Sequence, residues 1–295
     1  MAAANSVPLT RTPPQKSVTA RILFIGSPSD FNRSLQEALR ARNCEMDLAV
    51  GSADALRRLR SRAYDVVITD PSTSMDEDLA LLSEIRAIRP GVRAIVLAQS
   101  STPEEVISAL RARVFLCKTP PFDVVEIAEY ASQAVASPES LLGIEILSAH
   151  RDWVSARVNC QLLTAERLVS FLRELQSGLA EAPRENLMMA FREILMNAIE
   201  HGAEFHAEKV IDVAAVHTAR AIVFYVHDPG VGFRWESIPH AAISNPPDAP
   251  ARHLEIREEQ GKRPGGFGIL LARGIVDELI YSEIGNEVLL IKNTN

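Results

Sequence analysis

The amino-acid sequence predicts an α/β protein of two domains: a doubly wound, five-stranded parallel sheet, then an α/β sandwich of helices on a mixed or antiparallel sheet. Three observations predict this. Short apolar runs alternate with stretches of helical period from Arg21 to about Ala136. A break containing Pro and Ser, Ala136-Ser-Pro-Glu-Ser140, interrupts that alternation. Beyond it, helices and strands come in pairs. A chain of 295 residues is long for one domain and comfortable for two. The expected divisions are a tail at 1–20, a first domain at 21–136, a linker at 137–143 and a second domain at 144–295.

In the first domain the apolar runs are ILFI, VVIT, AIVLA and VFLC. Continuous apolar strands between amphipathic helices indicate a parallel sheet covered on both faces. Asp30 to Arg42 places Phe31, Leu35, Ala38 and Leu39 on one helical face, and Asp78 to Ile88 does the same with Leu79, Leu82, Ile85 and Ile88. Such sheets bind ligands at the carboxyl ends of their strands. Asp70 ends the third strand and Lys118 the fifth, followed by Thr119-Pro120-Pro121.

Bulk properties exclude several classes. The net charge of -7 argues against a duplex-DNA grip, which needs a basic patch. Cys44, Cys117 and Cys160 form no CxxC pair and no metal spacing, as expected of buried thiols in a reducing compartment. No stretch approaches the roughly 20 apolar residues of a membrane helix, and the N-terminus lacks a secretory apolar core. The expectation is a cytoplasmic protein.

The second domain opens on a run from Gly143 to Ser148 that suits a strand, then a half-buried strand from Trp153 to Cys160. Two helices follow, the first capped by Thr164 with Glu166 and Arg167 in its opening turn, the second begun by Pro183 and running to about His201. Strands at Lys209–His217 and Arg220–Asp228 precede a long polar loop, about Arg234 to Pro264, punctuated by Pro239, Pro246, Pro247 and Pro250. Trp235 and Phe233 stand at its start, suited to pack on a ligand or to form a hinge. A helix from Phe267 to Val276 and a hairpin close the chain.

Three motifs sit on this frame. On a helix Glu193, Asn197 and His201 are four apart and form one polar stripe, either a metal–phosphate site or a solvated face. Asp228-Pro-Gly230-Val-Gly232 follows a strand, and its glycines permit close backbone approach to a ligand or simply a turn. Gly265-Gly266-Phe267-Gly268 opens a helix, whose free N–H groups favour phosphate, or ends a flexible loop.

The first half resembles the response-regulator receiver family, in which an Asp at the Asp70 position accepts a phosphoryl group and a Lys at the Lys118 position contacts it. Gly26 and Ser27 stand where that family has its Mg²⁺-binding acidic pair, and Ala98 where it has Ser or Thr. Phosphoryl transfer leans on a metal to neutralise charge, so a degenerate receiver is expected. Asp30 is a carboxylate that could help hold the metal, although it sits several residues on, within the first helix.

In order and placement, the three later motifs resemble the Bergerat-type ATPases, which include histidine kinases, gyrase-type ATPases and anti-sigma serine kinases. The resemblance implies ATP and Mg²⁺ as cofactors. It implies Asn197 as the Mg²⁺ ligand, His201 at the nucleotide, Asp228 on the adenine amino group, Gly230 and Gly232 against base and ribose, and Gly266 and Gly268 at the phosphates. The intervening loop would be an ATP lid. The stretch NAIEHG is similar to the anti-sigma serine kinase branch, where the residue at Glu193 is the catalytic base. A histidine autokinase would need a helical hairpin carrying its acceptor, whereas His150 precedes an apparent strand. The implied function is a bacterial Mg²⁺-ATP-dependent serine/threonine kinase governed by the receiver-like half. The alternatives are a non-catalytic nucleotide-dependent binding module and a response regulator acting on a histidine-containing partner. Expected partners are proteins (a sigma factor, an anti-anti-sigma-type regulator or a sensor kinase), with a homodimer a further option and no nucleic acid or membrane.

Overall fold

A computed structural model of the chain describes residues 19–136, 143–176, 178–233, 252–259 and 266–294. The expected tail through residue 18, the expected linker from 137 to 142, Trp235, Gly265 and the four lid prolines lie outside the described residues.

The N-terminal half alternates β1 (Ala20–Ile25), α1 (Asp30–Arg40), β2 (Cys44–Ala49), α2 (Gly51–Ser61), β3 (Val66–Thr69), α3 (Met75–Ile88), β4 (Arg93–Leu97), α4 (Pro103–Arg111), β5 (Leu116–Lys118) and α5 (Val124–Ala136). Its sheet has the order β2-β1-β3-β4-β5 with every pair parallel. Helices cover both faces, so Leu23, Phe24, Val67, Ile68, Ile95 and Val96 are all buried and the strands read as unbroken apolar runs. Ser29, Ser74 and Thr102 close capping boxes at the starts of α1, α3 and α4. The Ser74–Glu77 box starts α3 three residues before the expected Asp78.

The C-terminal half contains β6 (Ile144–His150), β7 (Trp153–Asn159), α6 (Leu162–Leu175), α7 (Glu181–Asn197), β8 (Val210–His217), β9 (Ala221–His227), α8 (Arg252–Glu259), α9 (Gly268–Ile275), β10 (Glu278–Tyr281) and β11 (Glu287–Asn293). The sheet runs β10-β11-β9-β8-β7-β6 and is antiparallel throughout. Strict alternation along β7 and β9 buries Val154, Ala156, Val158, Ile222, Phe224 and Val226 beneath the helices. Phe224 meets Phe191 of α7 with ring centroids 4.7 Å apart.

Several local expectations change. Gln161, not Thr164, occupies the N-cap of α6; Thr164 is buried inside the first turn. Pro183 is the third residue of α7, still in the turn where its missing N–H has no helical partner to lose. Regular α-winding stops at Asn197, and Ala198–Gly202 forms a π-helical turn. The polar loop is not loop throughout, because α8 lies within it.

The halves pack together through α6, which lies against β5 and α4, while α4 also meets β6. Arg167 and Glu174 of α6 are buried in this junction. Arg167 donates to the Phe115 carbonyl at 2.7 Å and stacks 4.2 Å from the Phe115 ring centroid. Glu174 accepts from Thr119 Oγ1 at 2.7 Å.

The Phe191–Phe224 contact ties helix to sheet beneath the C-terminal motifs. Phe224→Ala should lower the unfolding free energy by about 3–5 kcal/mol, read from urea denaturation. A loss under about 1 kcal/mol would show that this contact does not anchor the layer.

Candidate functional site

One cavity of about 360 Å³ in the C-terminal half is lined by residues of all three motifs: Glu193, Asn197 and His201; Asp228 and Gly232; and Gly266 and Gly268. Gly230 supports it from beside Asp228. Glu193 and Asn197 share one face of α7, one turn apart. His201 sits on the π turn, exposed yet still on the cavity wall. Such turns widen a helix locally and often mark functional positions.

Asp228 follows β9. Its backbone N–H donates to the Asn286 carbonyl at 3.0 Å, and its Oδ1 accepts from Gly230 N–H at 2.8 Å. Burial raises its carboxyl above the usual carboxylate range, opposed by the Gly230 N–H and the nearby His227 and Lys209. Glycine is required around it. A Cβ on Gly202 would collide with the carboxylate, and one on Gly230 would lie 2.7 Å from both Asp228 Oδ1 and Gly202 Cα. Gly232 has φ +74° and a Cβ there would strike the Ile284 carbonyl.

At the opposite wall α9 begins at Gly268, where a Cβ would sit 2.6 Å from Glu193 Oε2 and 3.7 Å from Asn197 Nδ2. Glu193, Asn197 and the start of α9 therefore converge. Gly266 precedes them with φ +88°.

Four further residues line the cavity: Glu200 of the NAIEHG stretch, Phe233 after the Asp228 loop, and Tyr281 and Asn286. Tyr281 meets Phe233 edge-on at 5.1 Å, and burial with the Asp228 charge pushes its hydroxyl pKa upward. Asn286 Nδ2 donates to the carbonyls of Asp228 and Gly230, each at 3.4 Å. Tyr281 and Asn286 carry no sequence motif; they come from the closing hairpin, where only the fold brings them near Asp228. His253 of α8 is buried edge-on to Phe267, with centroids 4.5 Å apart, so α8 rests beside the start of α9.

The strand tips of the N-terminal half look different. Asp70 Oδ1 accepts from Ser72 N–H at 2.8 Å. Its side chain fills the space over Gly26, where any Cβ would collide with it. Lys118 makes an ion pair with Glu126 of α5. Asp78 lies buried behind the tip, accepting from Thr73 Oγ1 at 2.7 Å. Burial pushes its carboxyl up to about 6, with the charges of Glu77 and Asp70 adding to the rise.

Comparison with known proteins agrees with this division. Residues 158–292 match the family described as the histidine kinase-like ATPase domain. The C-terminal half is a histidine kinase-like ATPase domain. Over about the first 120 residues the chain is similar to response-regulator receivers. It is 29% identical over 128 residues to the transcriptional regulatory protein ZraR of Salmonella typhimurium, 43% of this chain and 29% of that one. It is 26% identical over 107 residues to the transcriptional regulatory protein PrrA of Mycobacterium tuberculosis, covering 36% of this chain and 46% of that one. The chain thus spans less than half the length of these relatives. A response regulator structure from Thermotoga maritima aligns with 19% identity and a TM-score of 0.38, over 41% of this chain and all of that one. No helix among the described residues is long and apolar enough to cross a membrane.

Two predictions concern the receiver-like half. Acetyl phosphate with Mg²⁺ should leave Asp70 unmodified, since Gly26 offers no carboxylate and the space beside Asp70 admits none; a stable acyl phosphate by mass spectrometry would contradict this. Asp78 binds its proton more tightly in the folded chain than an ordinary aspartate, which titrates at 3.8. Stability should therefore fall as pH rises from 3.8 to about 6 and stay lowered above. Asp78→Asn removes that loss, so its advantage over wild type in urea unfolding should grow by up to about 3 kcal/mol between pH 4 and pH 7. A pH-independent difference would refute the assignment.

Proposed function

We propose that the ATPase domain binds Mg²⁺-ATP and acts as a protein serine/threonine kinase of the anti-sigma type, in a cytoplasmic bacterial signalling protein governed by its receiver-like half. The observation that carries this reading is the meeting of Asp228, Asn197, Glu193 and the glycine-started α9 on one cavity.

The cavity suits a purine nucleotide. The half-buried Asp228 carboxylate can accept from the adenine amino group, and Gly202, Gly230 and Gly232 leave the room a flat base requires. The uncapped start of α9, with Gly266 and Gly268, offers N–H groups and a dipole to phosphates. Among the described residues no cluster of three or more His, Cys, Asp or Glu could hold a metal. Mg²⁺ would then rest on Asn197 together with the phosphates, the arrangement that ion commonly takes. The ion would neutralise charge on the transferring phosphoryl group.

Glu193 supports the kinase reading over simple nucleotide binding. Its carboxylate lies beside the α9 start and one turn from Asn197, where it can take the proton of an incoming Ser or Thr hydroxyl. His201 would add a donor at the cavity wall. The acceptor would be a sigma-factor regulator or a comparable protein, and the 234–264 stretch would act as the lid.

Calorimetric titration with ATP, with and without Mg²⁺, tests the assignment. Asp228→Asn should weaken binding at least about tenfold, as expected for loss of a hydrogen bond to a charged group. Asn197→Ala should abolish the Mg²⁺-dependent part. Glu193→Ala should preserve binding yet lower transfer to a protein acceptor by about 10²–10⁴. Unchanged binding in both Asp228→Asn and Asn197→Ala would sink the nucleotide site. Phosphate on a histidine of this chain would instead favour the histidine-directed alternative.

A further inference from the structure

Helix α6 carries two pairs of adjacent, oppositely charged residues, Glu166-Arg167 and Arg173-Glu174, with the order of sign reversed between them. Neighbouring residues on a helix point about 100° apart, whereas residues seven apart share a face. Arg167 and Glu174 therefore share one face, and Glu166 and Arg173 share another. The structure separates the two faces by partner.

The first face belongs to the receiver-like half. Arg167 holds the Phe115 carbonyl and ring at the start of β5. Glu174, 1% exposed, accepts from the Thr119 N–H at 3.4 Å, the Thr119 hydroxyl at 2.7 Å and the Ser101 hydroxyl at 3.4 Å. Thr119 follows β5 and Ser101 lies between β4 and α4, so both belong to loops at the strand tips. The second face belongs to α7. Glu166 accepts from Arg192 Nε at 3.0 and 3.3 Å, and Arg173 donates from Nε to Glu185 at 2.6 Å. Arg192 is next to Glu193 in sequence, with Nη1 3.9 Å from its carboxylate. Arg173 also bonds Glu174 at 3.1 Å, joining the two faces.

We propose that α6 is the coupling element through which the loops at Ser101 and Thr119 set the placement of α7, and with it Asn197 and Glu193, with Glu166 and Arg192 as positioning residues. This rests on the nucleotide reading of the cavity. A displacement of the Thr119 loop must either carry Glu174 with it or strip this buried carboxylate of its 2.7 Å donor, leaving it Arg173 and the longer Ser101 contact, which is disfavoured. Moving Glu174 moves a helix braced at both ends against α7. Coupling of this kind is reciprocal, so nucleotide at α7 must also act on the Thr119 loop.

The test is a cycle in the full chain with Mg²⁺-ADP as the probe, titrated calorimetrically. Thr119→Val removes a hydroxyl donor far from the cavity lining, and Thr119→Ser restores it. Thr119→Val should weaken ADP binding about 5–10-fold, with Thr119→Ser within twofold of wild type. In a Glu166→Gln/Glu185→Gln background, which takes the negative charge from the two part-exposed ion pairs between α6 and α7, Thr119→Val should have less than a twofold further effect. As a second readout, ADP should slow hydrogen exchange at the Thr119 amide in wild type and not in that background. Equal Thr119→Val effects in both backgrounds, or ADP affinity within twofold of wild type in Thr119→Val together with an unprotected Thr119 amide, would overturn the coupling while leaving the nucleotide site intact. No ADP binding by wild type would overturn the reading of the cavity, and this inference with it.

Discussion

Arg167 and Glu174 are taken almost wholly out of water where the two halves meet, at 4% and 1% exposure. Desolvating an ion costs several kcal/mol, and pairing repays this only when the geometry is good and the remaining hydrogen-bonding capacity is used. Burial is strong enough to lower the Arg167 guanidinium to about 10. Such groups add little net stability, but they restrict arrangement. A docking shifted by a few ångströms would bury Glu174 away from Thr119 and Ser101 and Arg167 away from the Phe115 carbonyl. One relative placement of α6 and the parallel sheet satisfies all of these at once, and the position of α7 follows from it.

The cavity depends on a second constraint of opposite kind, the absence of side chains. Gly202 ends the π turn and Gly230 lies two residues beyond Asp228, and the two backbones pass so closely that neither position tolerates a Cβ. The π turn delivers Gly202 to that place, since the chain after Asn197 winds wider than an α-helix would. Phe191 and Phe224 fix α7 to β9 below, so the polar ends of both elements reach the same space. Packing in the core thereby sets the separation between Asn197 and Asp228 on the cavity wall.

Much of this was legible from residues alone. The unbroken runs at Leu23, Val67 and Val96 marked a parallel sheet because strands buried on both faces leave no room for alternation. The motifs at Glu193, Asp228 and Gly266 were legible because backbone needs, a glycine at positive φ or a carboxylate at a strand end, leave a local signature. What escaped was tertiary. Tyr281 and Asn286 reach the cavity by antiparallel pairing of β11 with β9, which no local spacing reports. Lys118 looked aimed at Asp70, yet Glu126, eight residues on, offers it a partner across the strand–helix turn. Thr164 resembled a cap, but Ala165 and Leu168 must face the core, and meeting that demand starts the helix three residues earlier. Helix α8 was hidden because its exposed charges, Glu255, Glu258 and Glu259, read as loop, while its one buried contact is a histidine against Phe267.

The receiver-like half keeps its five-stranded parallel sheet, and the groups at its strand tips are engaged locally. Gly26 surrenders the space that Asp70 fills, Lys118 is held by α5, and Ala98 is buried without a hydroxyl to offer. Two polar groups at that end, Ser101 and Thr119, face α6 of the ATPase domain. Asp70 bonds its own loop at Ser72 and Thr73 and β1 at the Ile25 carbonyl, and its charge bears on buried Asp78. Contact on the β4–α4 or β5–α5 loops has a short route: it acts on groups already bonded to Glu174, one residue from the Arg173 that holds α7. Under the coupling proposed for α6, those loops are the shorter path to α7.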